Sequence, residues 1–270
     1  MKNQNTYDFP ECKICSGKCR EYAEAVVLHK YKIKYFICDY CDFIQTEEPY
    51  WLDEAYLTPI NIYDTGSLQR SILFSEITST LMALGFKNGG RYLDYGGGFG
   101  EFVRLMRDKG FNFYIYDKYC DNLFARGFNM TDEKSTRFEM VTAFELFEHL
   151  VSPKKELEKI IQYSDNIFFT TELVPPNHPK IDEWSYYNPA HGQHIAFYSK
   201  KSLEVLAETF DMYYYNRGNF HLYSKIKSKS LNMAFKLATI RKINKLVNSM
   251  CFDNSYYKID MLELQRRYAD

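Results

Sequence analysis

The sequence predicts an α/β protein: a parallel-sheet domain, a small cysteine-rich module ahead of it and a helical tail behind. Three observations carry this. Across residues 86–225 short apolar runs alternate with amphipathic stretches, the pattern of a parallel sheet with helical crossovers. A glycine cluster, Gly96, Gly97, Gly98 and Gly100, stands where the first apolar run gives way to an amphipathic one. Two C-x-x-C units, Cys12–Cys15 and Cys38–Cys41, lie near the start. At 270 residues, 46% hydrophobic and 26% charged, the chain is long enough for one large core and a small one.

Residues 1–50 form the cysteine module. Each C-x-x-C turn can aim two thiolates at one tetrahedral ion, so the pairs predict structural Zn2+ on Cys12, Cys15, Cys38 and Cys41. Four thiolates leave no open coordination position, which makes the ion structural and not catalytic. Cys19 is a fifth candidate. Between the pairs, Lys30, Lys32 and Lys34 alternate with Tyr31, Ile33 and Tyr35, a period of two that reads as a strand of a zinc-ribbon hairpin.

Residues 51–85 read as a helical connector, with Leu68, Ile72, Leu73 and Ile77 at helical spacing. In the 86–225 domain the expected strands are 91–95, 111–116, 138–144 and 166–171. A hairpin of 212–215 and 220–224 turns at Asn216-Arg217-Gly218 and closes one edge. Helices are expected at 101–109, 153–163 and 201–210, the last with Ser199 as N-cap. Residues 226–270 read as helical.

Glycines between a strand and a helix let the backbone turn tightly and approach a ligand closely. A dinucleotide would place its pyrophosphate on the helix N-terminus and wants a third glycine where Glu101 stands. Asp94 adds a second carboxylate to the loop. These acids repel a phosphate and suit the sulfonium and ammonium of S-adenosylmethionine. Asp117, at the tip of the second core strand, is placed to accept ribose hydroxyls, a feature common to both ligand classes.

At these residues the chain resembles the class I S-adenosylmethionine-dependent methyltransferases. Arg91–Gly100 (RYLDYGGGFG) is similar to their motif I, Val141–Leu150 (VTAFELFEHL) to their fourth-strand motif, and His194–Ser199 (HIAFYS) to a segment before their fifth helix. The resemblance implies a Rossmann-like seven-stranded methyltransferase sheet. It assigns Asp94, Gly96, Gly97, Gly98 and Gly100 to the methionine end of the cofactor, Asp117 to the ribose, and Phe144 and Glu145 to a cofactor-facing strand end. The stretch between Asp117 and the fourth strand is short and lacks the usual acidic segment that contacts adenine; Phe124 or Phe128 is the substitute. The cysteine module ahead of such a domain also resembles bacterial methyltransferases of sugars and cell-surface polysaccharides, without the large C-terminal domain of the sugar C-methyltransferases. An acceptor oxygen on a sugar, nucleotide-sugar or phosphate-type substituent is therefore expected, with carbon as the alternative.

Methyl transfer needs an aligned acceptor and a place for its proton. His191 and His194, in one turn with Gln193, are the candidate base, together with Glu148 after the fourth strand. This segment, after Trp184, is expected as a loop over the C-terminal edge of the sheet. His149 reads as structural, and Arg70 as either an anion-binding group or part of a solvated helix face. In the tail, Lys225, Lys227, Lys229, Lys236, Arg241, Lys242 and Lys245 run without an acid. Packing of its apolar stripe on the domain competes there with an anionic or peripheral membrane surface. A formal net charge of −1 opposes a general nucleic-acid binder, leaving an RNA methyltransferase or a non-catalytic zinc-ribbon module as rivals. Residues 1–12 are polar with no apolar leader core, and no run approaches the roughly 18 apolar residues of a membrane span, which together predict a cytoplasmic protein.

Overall fold

A computed structural model describes residues 9–57, 64–86, 89–130, 137–250 and 255–267. In chain order its elements are β1 (Cys19–Val27), β2 (Tyr31–Cys38), β3 (Ile44–Thr46), α1 (Leu52–Ala55), α2 (Ser67–Gly85), β4 (Arg91–Tyr95), α3 (Glu101–Asp108), β5 (Asn112–Tyr116) and β6 (Met140–Ala143). They continue with α4 (Pro153–Ile160), β7 (Asn166–Thr170), β8 (Ala196–Phe197), α5 (Lys200–Thr209), β9 (Tyr213–Arg217), β10 (Phe220–Ser224), α6 (Lys229–Ala238), α7 (Arg241–Met250) and α8 (Tyr257–Arg267). Parts of the expected connector (58–63) and tail (251–254, 268–270) lie outside the described residues.

The chain forms two compact units that cut across the expected linear division. The first joins the N-terminal residues up to 58 with Glu145–Glu158 and Thr171–Asp211. The second comprises Pro59–Phe144, Lys159–Thr170 and Met212–Asp270.

The second unit holds a six-stranded sheet in the order β5-β4-β6-β7-β10-β9. The first four strands are parallel; β10 runs antiparallel to both β7 and β9, the expected edge hairpin. Burial follows position. Residues of β4 after Arg91 and all of β6 are buried, as in a sheet covered on both faces, whereas edge strand β5 alternates. The expected seven strands are six among the described residues. Beyond β5, among the described residues, stands an isolated bridge, Ile115 to Asn129. The stretch after Asp117 folds back onto Ile115, whose amide donates to the Phe128 carbonyl at 3.0 Å and whose carbonyl accepts from the Met130 amide at 2.7 Å.

The tail belongs to this unit. In α6, Leu231, Ala234, Phe235 and Ala238 enter the core beside Phe74, Ile77, Leu81 and Phe168, so its apolar stripe is packing surface. Ser228 caps α6 by accepting from the Leu231 amide. In α7, Asn248 accepts from Ser79 Oγ and donates to Thr80 Oγ1 and the Glu76 carbonyl, tying the helix to α2. In α8, buried Asp260 receives a two-point ion pair from buried Arg107, Nη2 to Oδ1 at 2.6 Å and Nε to Oδ2 at 2.8 Å. The guanidinium also lies 3.6 Å over the Phe128 ring. Of the two aromatic residues expected near adenine, Phe128 is buried under Arg107 and Phe124 is exposed. We expect Asp260→Ala to cost about 3–5 kcal/mol, since it strands a buried guanidinium; the shift in urea midpoint measures it.

The first unit holds a four-stranded sheet, β1-β2-β3-β8. In β2, Lys32 is exposed while Ile33 and Tyr35 are buried, as the alternation predicted. The core beneath gathers Val27, Ile33, Tyr35, Ile37, Ile44, Trp51, Tyr187 and Phe197. Trp51 Nε1 donates to the Gly192 carbonyl at 2.7 Å and Gln193 Nε2 to the Ala55 carbonyl at 2.8 Å. These bonds fix the 188–195 turn. That segment, expected as a loop, leads into β8, whose ladder with β3 joins it to the cysteine module's sheet.

Among the described residues no helix is long and apolar enough to cross a membrane.

Candidate functional site

In the second unit the glycine loop follows β4 and ends at the N-terminus of α3. Gly96, Gly98 and Gly100 have φ of 77°, 59° and 91°, in the left-handed region that favours glycine. At Gly97 closeness is the constraint: a Cβ there would stand 2.6 Å from Asp94 Oδ2 and 2.8 Å from Ile115 Cγ1. A Cβ on Gly100 would meet Asn122 Oδ1 at 2.6 Å and the Ala125 amide nitrogen at 3.2 Å.

Carboxylates surround this loop. Asp117 Oδ2 accepts from the Gly98 amide at 2.9 Å, and its Oδ1 accepts from the amides of Tyr119 and Cys120 at 2.7 and 2.8 Å. Asp94 is buried, and its Oδ1 accepts from Thr142 Oγ1 at 2.6 Å. Sequence reasoning passed over Thr142 because a threonine in a β-strand looks ordinary; only the β4–β6 register puts it opposite Asp94.

Burial pushes the Asp94 carboxyl up from 3.8 to about 7, and the charges of Asp117 and Glu101 push the same way. An acid whose folded pKa is raised keeps its full contribution below the unfolded value and loses it as pH climbs through the folded one. Stability should therefore fall between pH 3.8 and about 7. The slope attributable to Asp94 approaches about 1.4 kcal/mol per pH unit. Asp94→Asn should remove that component, which urea denaturation at several pH values will show.

Phe144, expected at a cofactor-facing strand end, packs against Phe74, Phe102 and Phe168, with ring centroids at 4.7, 5.0 and 5.2 Å. Glu145, next in the chain and in the first unit, is partly exposed and turns with φ 50°. Arg70 forms a two-point ion pair with Asp64, Nη2 to Oδ2 at 2.7 Å and Nη1 to Oδ1 at 3.0 Å.

In the first unit Cys12, Cys15, Cys38 and Cys41 place their sulfurs within 4.8 Å of one another. The Cys12–Cys41 and Cys15–Cys38 sulfurs are 3.6 and 3.4 Å apart, too far for a disulfide and near the roughly 3.8 Å edge of a tetrahedron with 2.3 Å metal–sulfur bonds. The amides of Ile14, Gly17, Tyr40 and Cys41 point at these sulfurs at 3.4–3.5 Å, stabilising thiolates. Donation from Cys19 and Cys41 draws Cys12 down to about 2. Cys19 lies beside Cys12 but outside the four-sulfur group. The donor set fits one tetrahedral soft-ligand ion.

The same unit gathers Glu148, His149 and His194, with one potential ligand atom from each within 4.8 Å of the others. Glu148 is buried, and its Oε2 has no hydrogen-bond partner among the described residues. Burial lifts its carboxyl to about 7, against hydrogen bonds from Tyr186 and Thr171. Burial also lowers His149 to about 3, helped by facing His194, so the ring stays neutral. His149 Nδ1 lies 3.1 Å from the Gln193 carbonyl and His194 Nδ1 2.6 Å from that of Tyr186. Of the residues expected to manage the acceptor, Glu148 and His194 come together, His191 stands outside the three-residue group, and His149, read as structural, joins it. The neighbouring Glu148-His149 pair was visible in sequence, but its meeting with His194 depends on the Ile195 amide bonding the Glu148 carbonyl.

A family model described as a methyltransferase domain matches residues 69–215. This is more than half of the chain, and the chain belongs to that family. No curated protein sequence matches. Among solved structures, the plantazolicin methyltransferase BpumL bound to SAH is similar at 11% identity and TM-score 0.48, covering 73% of this chain and 89% of that one. A family 2 O-methyltransferase of Planctomyces limnophilus, complexed with apigenin, is similar at 12% identity and TM-score 0.42, covering 64% and 66%. A methyltransferase of Thermotoga maritima, described as a possible histamine N-methyltransferase, is similar at 12% identity and TM-score 0.39, covering 60% and 92%. At these values the likenesses define neither cofactor nor acceptor for this chain.

Proposed function

We propose that the protein transfers a methyl group from S-adenosylmethionine to an oxygen of a small acceptor: a sugar, nucleotide-sugar or phosphate-type substituent of a polysaccharide precursor. The observation that carries the cofactor reading is the glycine loop walled by Asp94, Asp117 and Glu101. Such a loop repels a pyrophosphate and accepts a cation. S-adenosylmethionine supplies a methyl group already activated on its sulfonium. The chain's part is to bind, align and manage a proton.

Gly96, Gly97, Gly98 and Gly100 let the backbone approach the methionine end. Asp117 orients the ribose: a carboxylate offers about four acceptor sites, and three amides leave one for a hydroxyl. Glu148, His194 and His191 hold the acceptor and receive its proton. Zn2+ on the four cysteines keeps the N-terminal hairpin folded. The sugar reading rests on the resemblance of a cysteine module ahead of this core to sugar methyltransferases. Calorimetry with S-adenosylmethionine tests the cofactor: no heat at high micromolar ligand removes the proposal. Mass spectrometry on hydroxylated sugars and nucleotide-sugars, seeking the mass of one added methyl group, tests the acceptor.

A further inference from the structure

The structure assigns a second metal site, made by Glu148, His149 and His194 and separate from the four cysteines; we propose that it takes a divalent transition ion, zinc foremost. The three residues put a carboxylate oxygen and two imidazole nitrogens within 4.8 Å of one another, a two-histidine, one-carboxylate set.

Two further features point to an ion. Glu148 is only 1% exposed, and its Oε2 has no hydrogen-bond partner among the described residues. A buried carboxylate oxygen left bare costs desolvation that nothing returns, and a bound cation answers it. The imidazoles are also set as metal ligands usually are. A backbone carbonyl only accepts, so the contacts of His149 Nδ1 with Gln193 and of His194 Nδ1 with Tyr186 place each ring proton on Nδ1. In a neutral ring the lone pair is then on Nε2. Carbonyl-anchored imidazoles are the standard support for metal-ligating histidines. The carboxylate has support of its own: the hydroxyls of Tyr186 and Thr171 donate to Glu148 and lie 3.2 Å from each other.

The donor chemistry separates this site from the cysteine cluster. Four thiolates saturate an ion, whereas three nitrogen and oxygen ligands keep one position open. That position suits an oxygen donor such as a hydroxyl. With the ion in place, Glu148 and His194 hold such a group through it, and His191, outside the ligand set, is left to take a proton. The proposal does not depend on methyl transfer, since metal content is measured without cofactor or acceptor.

The test uses the full chain, stripped by chelator under reducing conditions and titrated with Zn2+ alone or Co2+ alone. Two equivalents per chain are expected, with Co2+ showing thiolate charge-transfer absorption for only one. Glu148→Gln should bind one equivalent and keep that absorption. Zinc-edge X-ray absorption on the two-equivalent wild-type protein needs no variant: it should show sulfur at about 2.3 Å together with nitrogen or oxygen at about 2.0–2.1 Å. Saturation at one equivalent, unchanged stoichiometry in Glu148→Gln, or a shell of sulfur alone would overturn the proposal.

Discussion

Cys38→Ser should abolish metal binding at the cysteine cluster and unfold the sheet built around it. Cys38 is fully buried, ends β2, and its sulfur receives the amides of Tyr40 and Cys41. A serine hydroxyl cannot replace a thiolate in a closed four-sulfur shell. Structural zinc contributes on the order of 10–16 kcal/mol of apparent binding energy, comparable to the whole stability of a domain. The apolar cluster of Val27, Ile33, Ile37, Ile44 and Trp51 is small and should not hold without it. Co2+ thiolate absorption should vanish, and near-ultraviolet circular dichroism from buried Trp51 should collapse. A variant retaining both signals would show that the sulfurs are free thiols.

The second large effect is expected at Gly97. Its missing Cβ would overlap Asp94 Oδ2 and Ile115 Cγ1. Neither can yield cheaply: Asp94 is pinned by Thr142, and Ile115 is buried in the core of β5. Gly97→Ala must therefore displace the loop. A distortion of about 3 kcal/mol corresponds to roughly a 100-fold loss of affinity for S-adenosylmethionine. Gly98→Ala is the control. Space is open around Gly98, so only its φ of 59° opposes a side chain, and the loss should stay near tenfold or below. Calorimetric titration of both variants measures the contrast; equal affinities would mean that the loop does not touch the ligand.

The parallel sheet was readable because its signals are local. Strands β4 and β10 fall where the apolar runs stand, and Ser199 caps α5 by accepting from the Ser202 amide. The paired cysteines were equally plain, because two turns of fixed spacing can meet at one ion without knowledge of what lies between. What the sequence concealed was assembly. Residues 145–158 and 171–211 leave the sheet unit to join the cysteine module, and no local pattern announces which core a loop will serve. The packing of Phe144 was equally hidden: an aromatic residue at a strand end gives no local sign that it meets Phe74, Phe102 and Phe168. His149 was set aside because its partners, Gln193 and His194, lie far along the chain.

The short strand β8 binds two chemistries into one mechanical piece. Its ladder partner β3 follows the second cysteine pair, His194 stands two residues before its first residue, and Ser199, two residues past its last, donates its hydroxyl to the Cys41 carbonyl at 2.6 Å. Oxidants that attack the thiols would therefore reach the imidazole through the backbone. Peroxide treatment should silence turnover in step with loss of the cluster thiols, and reductant plus zinc should restore it, although the four cluster cysteines take no part in methyl transfer. The protein would then read the redox state of its surroundings with the same strand that keeps its histidine in place.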